Sequence, residues 1–144
     1  MVFKLRTSKE TQKVFSKVGA ANGLQPFALA KIAIALSIRQ GPLQEKDFRT
    51  DNDGQELNRQ TIFGEHDLMF KCLIICNENR AIPENEYFPK VVKAHLDRGA
   101  RLLGGEARYS KNLYLMLIRK RQNQLVYNLW STVDFVTIIN IFLV

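Results

Sequence analysis

Apolar and basic positions alternate at the start of the chain, Phe3-Lys4-Leu5-Arg6. A period of two predicts a short strand with one inward and one outward face. Thr7-Ser8-Lys9-Glu10 then fits a capping box, a hydroxyl followed three residues on by a carboxylate. The helix it opens places Val14, Phe15, Val18 and Ala21 on one side, and Gly23 is its natural stop. Gln25-Pro26 opens a second helix to about Gln40, in which Phe27, Leu29, Ile32, Ile34, Leu36 and Ile38 leave almost no polar side. A helix apolar all round has to be enclosed, and for a chain of this size a partner subunit is the expected cover.

The pattern lapses over 42–64, a polar stretch with turn formers at Asp51-Asn52-Asp53-Gly54, which reads as a connecting loop. Helical spacing returns with Leu68, Met69, Cys72, Leu73 and Cys76, behind acids at Glu65 and Asp67. Pro89 is the expected start of the next helix, with Val91, Val92, His95 and Leu96 inward and Gly104-Gly105 as its end. Ser110 to Arg121 forms a last short helix with Leu113, Met116 and Leu117 inward. Beyond it, 122–144 is an apolar tail with one charge, Asp134. The expected organisation is one mainly α domain over 1–121, with 1–41, 42–64 and 65–121 as its parts, followed by the tail.

Charge changes this picture more than composition does. Hydrophobic content of 46% with 24% charged residues is that of an ordinary globular chain of 144 residues. Of the net charge of +7, nearly all sits in the first forty residues, where seven bases face one acid, Glu10. Lys9, Lys13 and Lys17 recur every four residues as a stripe away from the apolar face. Such a cluster favours a polyanionic partner, nucleic acid before membrane. The N-terminus lacks the apolar region of a secretory signal, and FVTIINIFLV is about half the length of a membrane span, so a cytoplasmic protein is expected.

Strand, capped helix, turn and apolar second helix follow the plan of a ribbon-helix-helix unit. Two copies of such a unit pair their strands into a ribbon that fits the DNA major groove. On that plan Phe3 and Leu5 close an oligomer core together with Phe27, Ile32 and Leu36, while Lys4 and Arg6 project towards DNA.

The segments RTSKETQKVFSKVGAANGLQPFALAKIAIALSIRQG, ELNRQTIFGEHDLMFKCLI and KAHLDRGARLL resemble the DndE family of the bacterial DNA phosphorothioation (sulfur modification) system. The resemblance spans about residues 4–121. It implies an all-helical homotetramer that binds double-stranded DNA, with a liking for nicked duplex, through surface lysines, and that works with other Dnd proteins. The matching lysines are Lys9, Lys13, Lys17 and Lys31.

Other signals point away from catalysis. Cys72 and Cys76 share one helix face, but apolar neighbours assign them to the core, and a zinc or iron–sulfur site lacks further ligands. Glu65-His66-Asp67 is best read as helix-start charge, and His95 as a satisfied core residue. No Gly-rich phosphate loop, GxSxG or HExxH is present, and no metal or cofactor is expected. The expectation is therefore a non-catalytic DNA-binding subunit. A ribbon-helix-helix repressor or antitoxin is the alternative, and a nicking or sulfur-handling enzyme the least favoured.

Overall fold

The computed structural model describes residues 3–108 and 112–117, so the tail 122–144 lies outside the described residues. The order is β1 (Lys4–Arg6), α1 (Lys9–Asn22), α2 (Pro26–Arg39), a 3-10 turn (Glu45–Phe48), β2 (Glu56–Asn58), α3 (Arg59–Phe63), a 3-10 turn (Gly64–His66), α4 (Asp67–Glu78), α5 (Glu84–Glu86), a π-helical stretch (Tyr87–Val92) and α6 (Lys93–Ala107). Residues 113–117 add a helical turn. The protein is mainly helical, with one small N-terminal sheet.

The first forty residues form as their pattern requires. Ser8, one position after the expected Thr7, is the N-cap of α1, its Oγ accepting from the Thr11 N–H at 3.1 Å. Gly23 closes α1 in the left-handed conformation, φ 66°. Phe15 and Val18 turn inward from α1.

β1 pairs antiparallel with β2 of its own chain, Leu5 opposite Leu57, rather than with a second copy. The ladder is extended by Arg59 N–H to Phe3 O and Thr7 N–H to Gln55 O, at 2.7 and 3.0 Å. A two-copy ribbon built on this edge of β1 is therefore not the arrangement seen, and 42–64 is more than a loop, since it contains β2 and α3.

α2 lies against α6 and is enclosed by the chain itself. Leu29, Ala30, Ile32, Ala33, Ile34, Ala35 and Leu36 are all buried. The expectation that α2 needs a partner for cover is corrected by this packing. Of the residues assigned to an oligomer core, Leu5, Ile32 and Leu36 are in the chain's own core, while Phe3 and Phe27 remain 53% and 39% exposed. The crossing is made possible by Gly99, because a Cβ there would stand 1.7 Å from the carbonyl oxygen of Ala33.

The helix expected to begin at Pro89 begins instead at Pro83, the N-cap of α5, and runs through Pro89 by widening into the π stretch. A proline lacks the N–H of the ordinary ladder and its ring meets the carbonyl four residues back. A wider turn accommodates both. Nor does the Gly104-Gly105 pair stop the helix, for α6 continues to Ala107. Leu113, Met116 and Leu117 are buried, as their spacing requires.

Two polar networks lock this core. In the first, Asp97 is fully buried, and accepts from Ser8 N–H (3.0 Å), Thr11 Oγ1 (2.6 Å), Thr50 Oγ1 (2.7 Å) and Lys93 Nζ (2.8 Å). In the second, His95 sits between Ser37 Oγ (Nδ1, 2.9 Å) and Glu78 Oε1 (Nε2, 3.0 Å), while Arg98 Nε donates to the same Ser37 oxygen at 2.7 Å. The Glu78 carboxylate can only accept, so the neutral imidazole carries its proton on Nε2, and Nδ1 accepts from the Ser37 hydroxyl, whose oxygen accepts in turn from Arg98. Arg98 also caps the end of α2, donating to Ser37 O and Gly41 O at 2.7 and 2.6 Å. Burial, reinforced by the Arg98 charge and opposed by Asp47, pushes His95 down to about 3. The His95–Glu78 contact is thus a hydrogen bond donated by the neutral imidazole, not an ion pair.

Two outcomes follow. Gly99→Ala must force α2 and α6 apart, with a cost of at least about 1–3 kcal/mol; urea denaturation checks it, and an unchanged midpoint would contradict this crossing. For His95, the unfolded state takes up a proton near pH 6.5 that the folded state refuses until about pH 3. Its contribution to stability is therefore intact above pH 6.5 and falls, by at most about 1.4 kcal/mol per pH unit, as pH drops towards 3. The stability difference between wild type and His95→Gln should narrow over that window; a constant difference would mean that His95 is not held neutral.

Candidate nucleic-acid interface

Gly104 on α6 lets α1 lie close beside it. At Gly104 a Cβ would come within 3.0 Å of Val14 Cγ2. Between the two helices runs a groove of about 310 Å³ with an apolar lining of Val14, Val18, Gly104, Gly105 and Ala107. Lys13 and Lys17 border it from α1 and Arg101 and Arg108 from α6, against a single acid, Glu10. Arg101 shares the buried Asp47 carboxylate at 3.3 Å with Arg98. Lys13, Lys17 and Arg108 have no ion pair among the described residues. Three cations without an ion pair among the described residues, over an apolar floor, form a surface suited to phosphate oxygens.

The other basic residues of the first forty lie apart from this groove. Lys9 is exposed one turn before Lys13, and its backbone N–H is held by Asp51 Oδ1 at 2.8 Å. Lys4 pairs with Glu56 across the sheet at 2.8 Å and holds that carboxyl below its usual range. Arg6 is exposed opposite the same Glu56. Lys31 stands on α2 with its ammonium 5.8 Å from the Phe27 ring centre, and burial lowers its pKa. The structure thus brings Lys13 and Lys17 together with two arginines that a charge count over the first forty residues does not reach. Arg101 and Arg108 are seven residues apart, two helical turns, and that spacing is the available signal.

The residues considered for chemistry are otherwise occupied. Asp67 is clasped through both oxygens by Arg59 Nε and Nη2, at 2.7 and 2.8 Å. Arg59 also pairs with Glu84 and stacks 4.9 Å over the Tyr87 ring. Ser37, His95 and Glu78 share the connectivity of a nucleophile, base and orienting acid, but Ser37 and His95 are fully buried and no substrate reaches them. Cys72 and Cys76 are exposed, a correction to their expected place in the core: Phe70 and Ile74 are the inward residues of α4. Among the described residues no group of three or more His, Cys, Asp and Glu side chains is placed to hold a metal. No single described helix is long and apolar enough to cross a membrane.

The family model for DNA sulphur modification protein DndE matches residues 4–111. The comparison with curated proteins gives no significant match.

The exposure of the α4 cysteines has a direct check. Both thiols should react with Ellman's reagent in the native protein, without denaturant. Reaction of both only after unfolding would put this face of α4 under cover.

Proposed function

The chain belongs to the DndE family of DNA sulphur modification proteins, and from that premise we propose that it is the non-catalytic, cytoplasmic subunit that grips duplex DNA for the phosphorothioation machinery. The observation that supports this reading is the α1–α6 groove, where Lys13, Lys17 and Arg108 have no ion-pair partner among the described residues. Cations arranged in this way hold the sugar-phosphate backbone irrespective of base sequence. That is the property a modification subunit needs and an operator-reading repressor does not. The reading extends to a preference for nicked duplex and a homotetramer, in which one groove per chain multiplies phosphate contacts, and to docking with other Dnd proteins. The exposed Phe3 and Phe27 are the members of the expected interface still available to a second copy.

Salt dependence tests it. Each neutralised phosphate releases condensed counterions, so the logarithm of the binding constant should fall with log salt at about −0.9 for every phosphate engaged. Lys13→Ala, Lys17→Ala and Arg108→Ala should each weaken binding to unrelated duplexes alike. Each should also make that slope shallower by about one for every phosphate left without its cation. Charge reversal of Lys9, Lys13 and Lys17 together should abolish binding with the helical circular dichroism unchanged, since all three are exposed. Unaltered affinity and slope in the triple variant would overturn the reading.

A further inference from the structure

A second cleft opens further along the same side of α6. It lies between the 3-10 turn Glu45–Phe48 with the loop after it and the π-helical stretch, and it holds about 270 Å³. That is close to the size at which small-molecule clefts begin, roughly 300 Å³. Phe48 presents an aromatic ring to it that is 42% exposed, Pro89 and Ala94 supply apolar surface, and Asn52 and Lys90 are polar groups within it. Thr50, Lys93 and Asp47 also line it, but the first two have their polar atoms engaged with Asp97 and the Asp47 carboxylate is held by Arg98 and Arg101. Neither the Asn52 amide nor the Lys90 ammonium makes a side-chain hydrogen bond or close ion pair among the described residues, although Lys90 lies near enough to Glu86 to help lower its pKa.

Position relates this cleft to the cationic groove. Ala94 in the cleft and Arg101 and Arg108 in the groove recur every seven residues of α6. Two helical turns separate successive members, a rise of about 10 Å. A nucleic-acid strand advances roughly 3.4 Å per nucleotide, so about three nucleotides cover that distance.

We propose that the cleft binds an unpaired nucleobase of a DNA strand whose phosphates lie in the α1–α6 groove. The base stacks on Phe48, its edge meets the Asn52 amide, and Lys90 faces its phosphate. This rests on the duplex-gripping reading above and adds a base-sized site to it. An aromatic face accepts any base, because every base has a π surface, so the site selects for unstacked structure and not for sequence. The polar pair Asn52 and Lys90, and the place of the cleft on the same helix as the cationic groove, favour a nucleotide over an apolar side chain of a protein.

The test compares two duplexes that differ only in one bulged 2-aminopurine nucleotide, using the full chain. Wild type should bind the bulged duplex roughly 5- to 100-fold tighter than the paired one, the range that one base–aromatic stack supplies. The 2-aminopurine emission should drop on binding. Phe48→Ala should bring the affinity ratio near one while leaving binding to the paired duplex unchanged, whereas Phe48→Tyr should keep the ratio. Lys13→Ala should weaken both duplexes equally and leave the ratio intact. A wild-type ratio near one, or a ratio that Phe48→Ala leaves unchanged, overturns the base site while duplex gripping stands, and gives the cleft to a protein side chain. Failure to bind either duplex overturns both readings.

Discussion

One buried carboxylate organises the candidate surface. Asp97 has no contact with solvent, and a bare charge in that position would cost several kcal/mol. It is tolerable because four donors converge on it, from the first turn of α1, from Thr50 and from Lys93 on its own helix. These donors come from three separate stretches of chain, so satisfying the charge fixes where those stretches lie. α1 is set alongside α6 at its N-terminal end, the 49–53 loop is drawn against both, and the two clefts take their walls from these parts. Removing one donor would not simply subtract a hydrogen bond. It would leave a buried oxygen without its partner, and the whole register of α1 on α6 would relax.

The N-terminal elements are legible in the sequence because each is decided locally. The hydroxyl cap of α1, legible to within one residue, the Gly23 stop and Pro26 at the first position of α2 need no knowledge of the remaining chain. What sequence does not reveal are decisions made at a distance. β2 is three residues long inside a polar stretch, and only its pairing with β1 some fifty residues earlier makes it a strand. α4 reads DLMFKCLIICNE, apolar on more than one side, so periodicity alone does not choose between a face with Cys72 and Cys76 and one with Phe70 and Ile74. Tertiary packing chooses the second. Pro89 misleads for a related reason, since a widened turn is a solution that the rule against proline in helices does not anticipate.

The candidate groove is half legible. The lysine stripe of α1 is plain, but its partners on α6 sit among acids and glycines that hide them from a charge count. Gly104 carries the opposite meaning from the expected one, letting α1 in close, and neither it nor Gly105 stops the helix. His95 shows how chemistry and structure are told apart. A Ser–His–Glu chain in hydrogen-bonding order is not a site when its members are sealed in the core and the imidazole is held neutral. There it serves to tie α2, α4 and α6 together.

The bond from Ser8 to Asp97 spans 89 residues of chain. During synthesis α1 leaves the ribosome long before the carboxylate that anchors it exists, and with domains completed from the N-terminus the wait is several seconds at about 5–20 residues per second. Over that interval Phe15 and Val18 have no α6 to cover them, and the lysines beside them have no groove to form. The positive stripe of Lys9, Lys13 and Lys17 keeps the nascent helix hydrated and repels its like in neighbouring chains. The anchoring contact is thus among the last to close, and α1 depends until then on its own charge for protection against premature association.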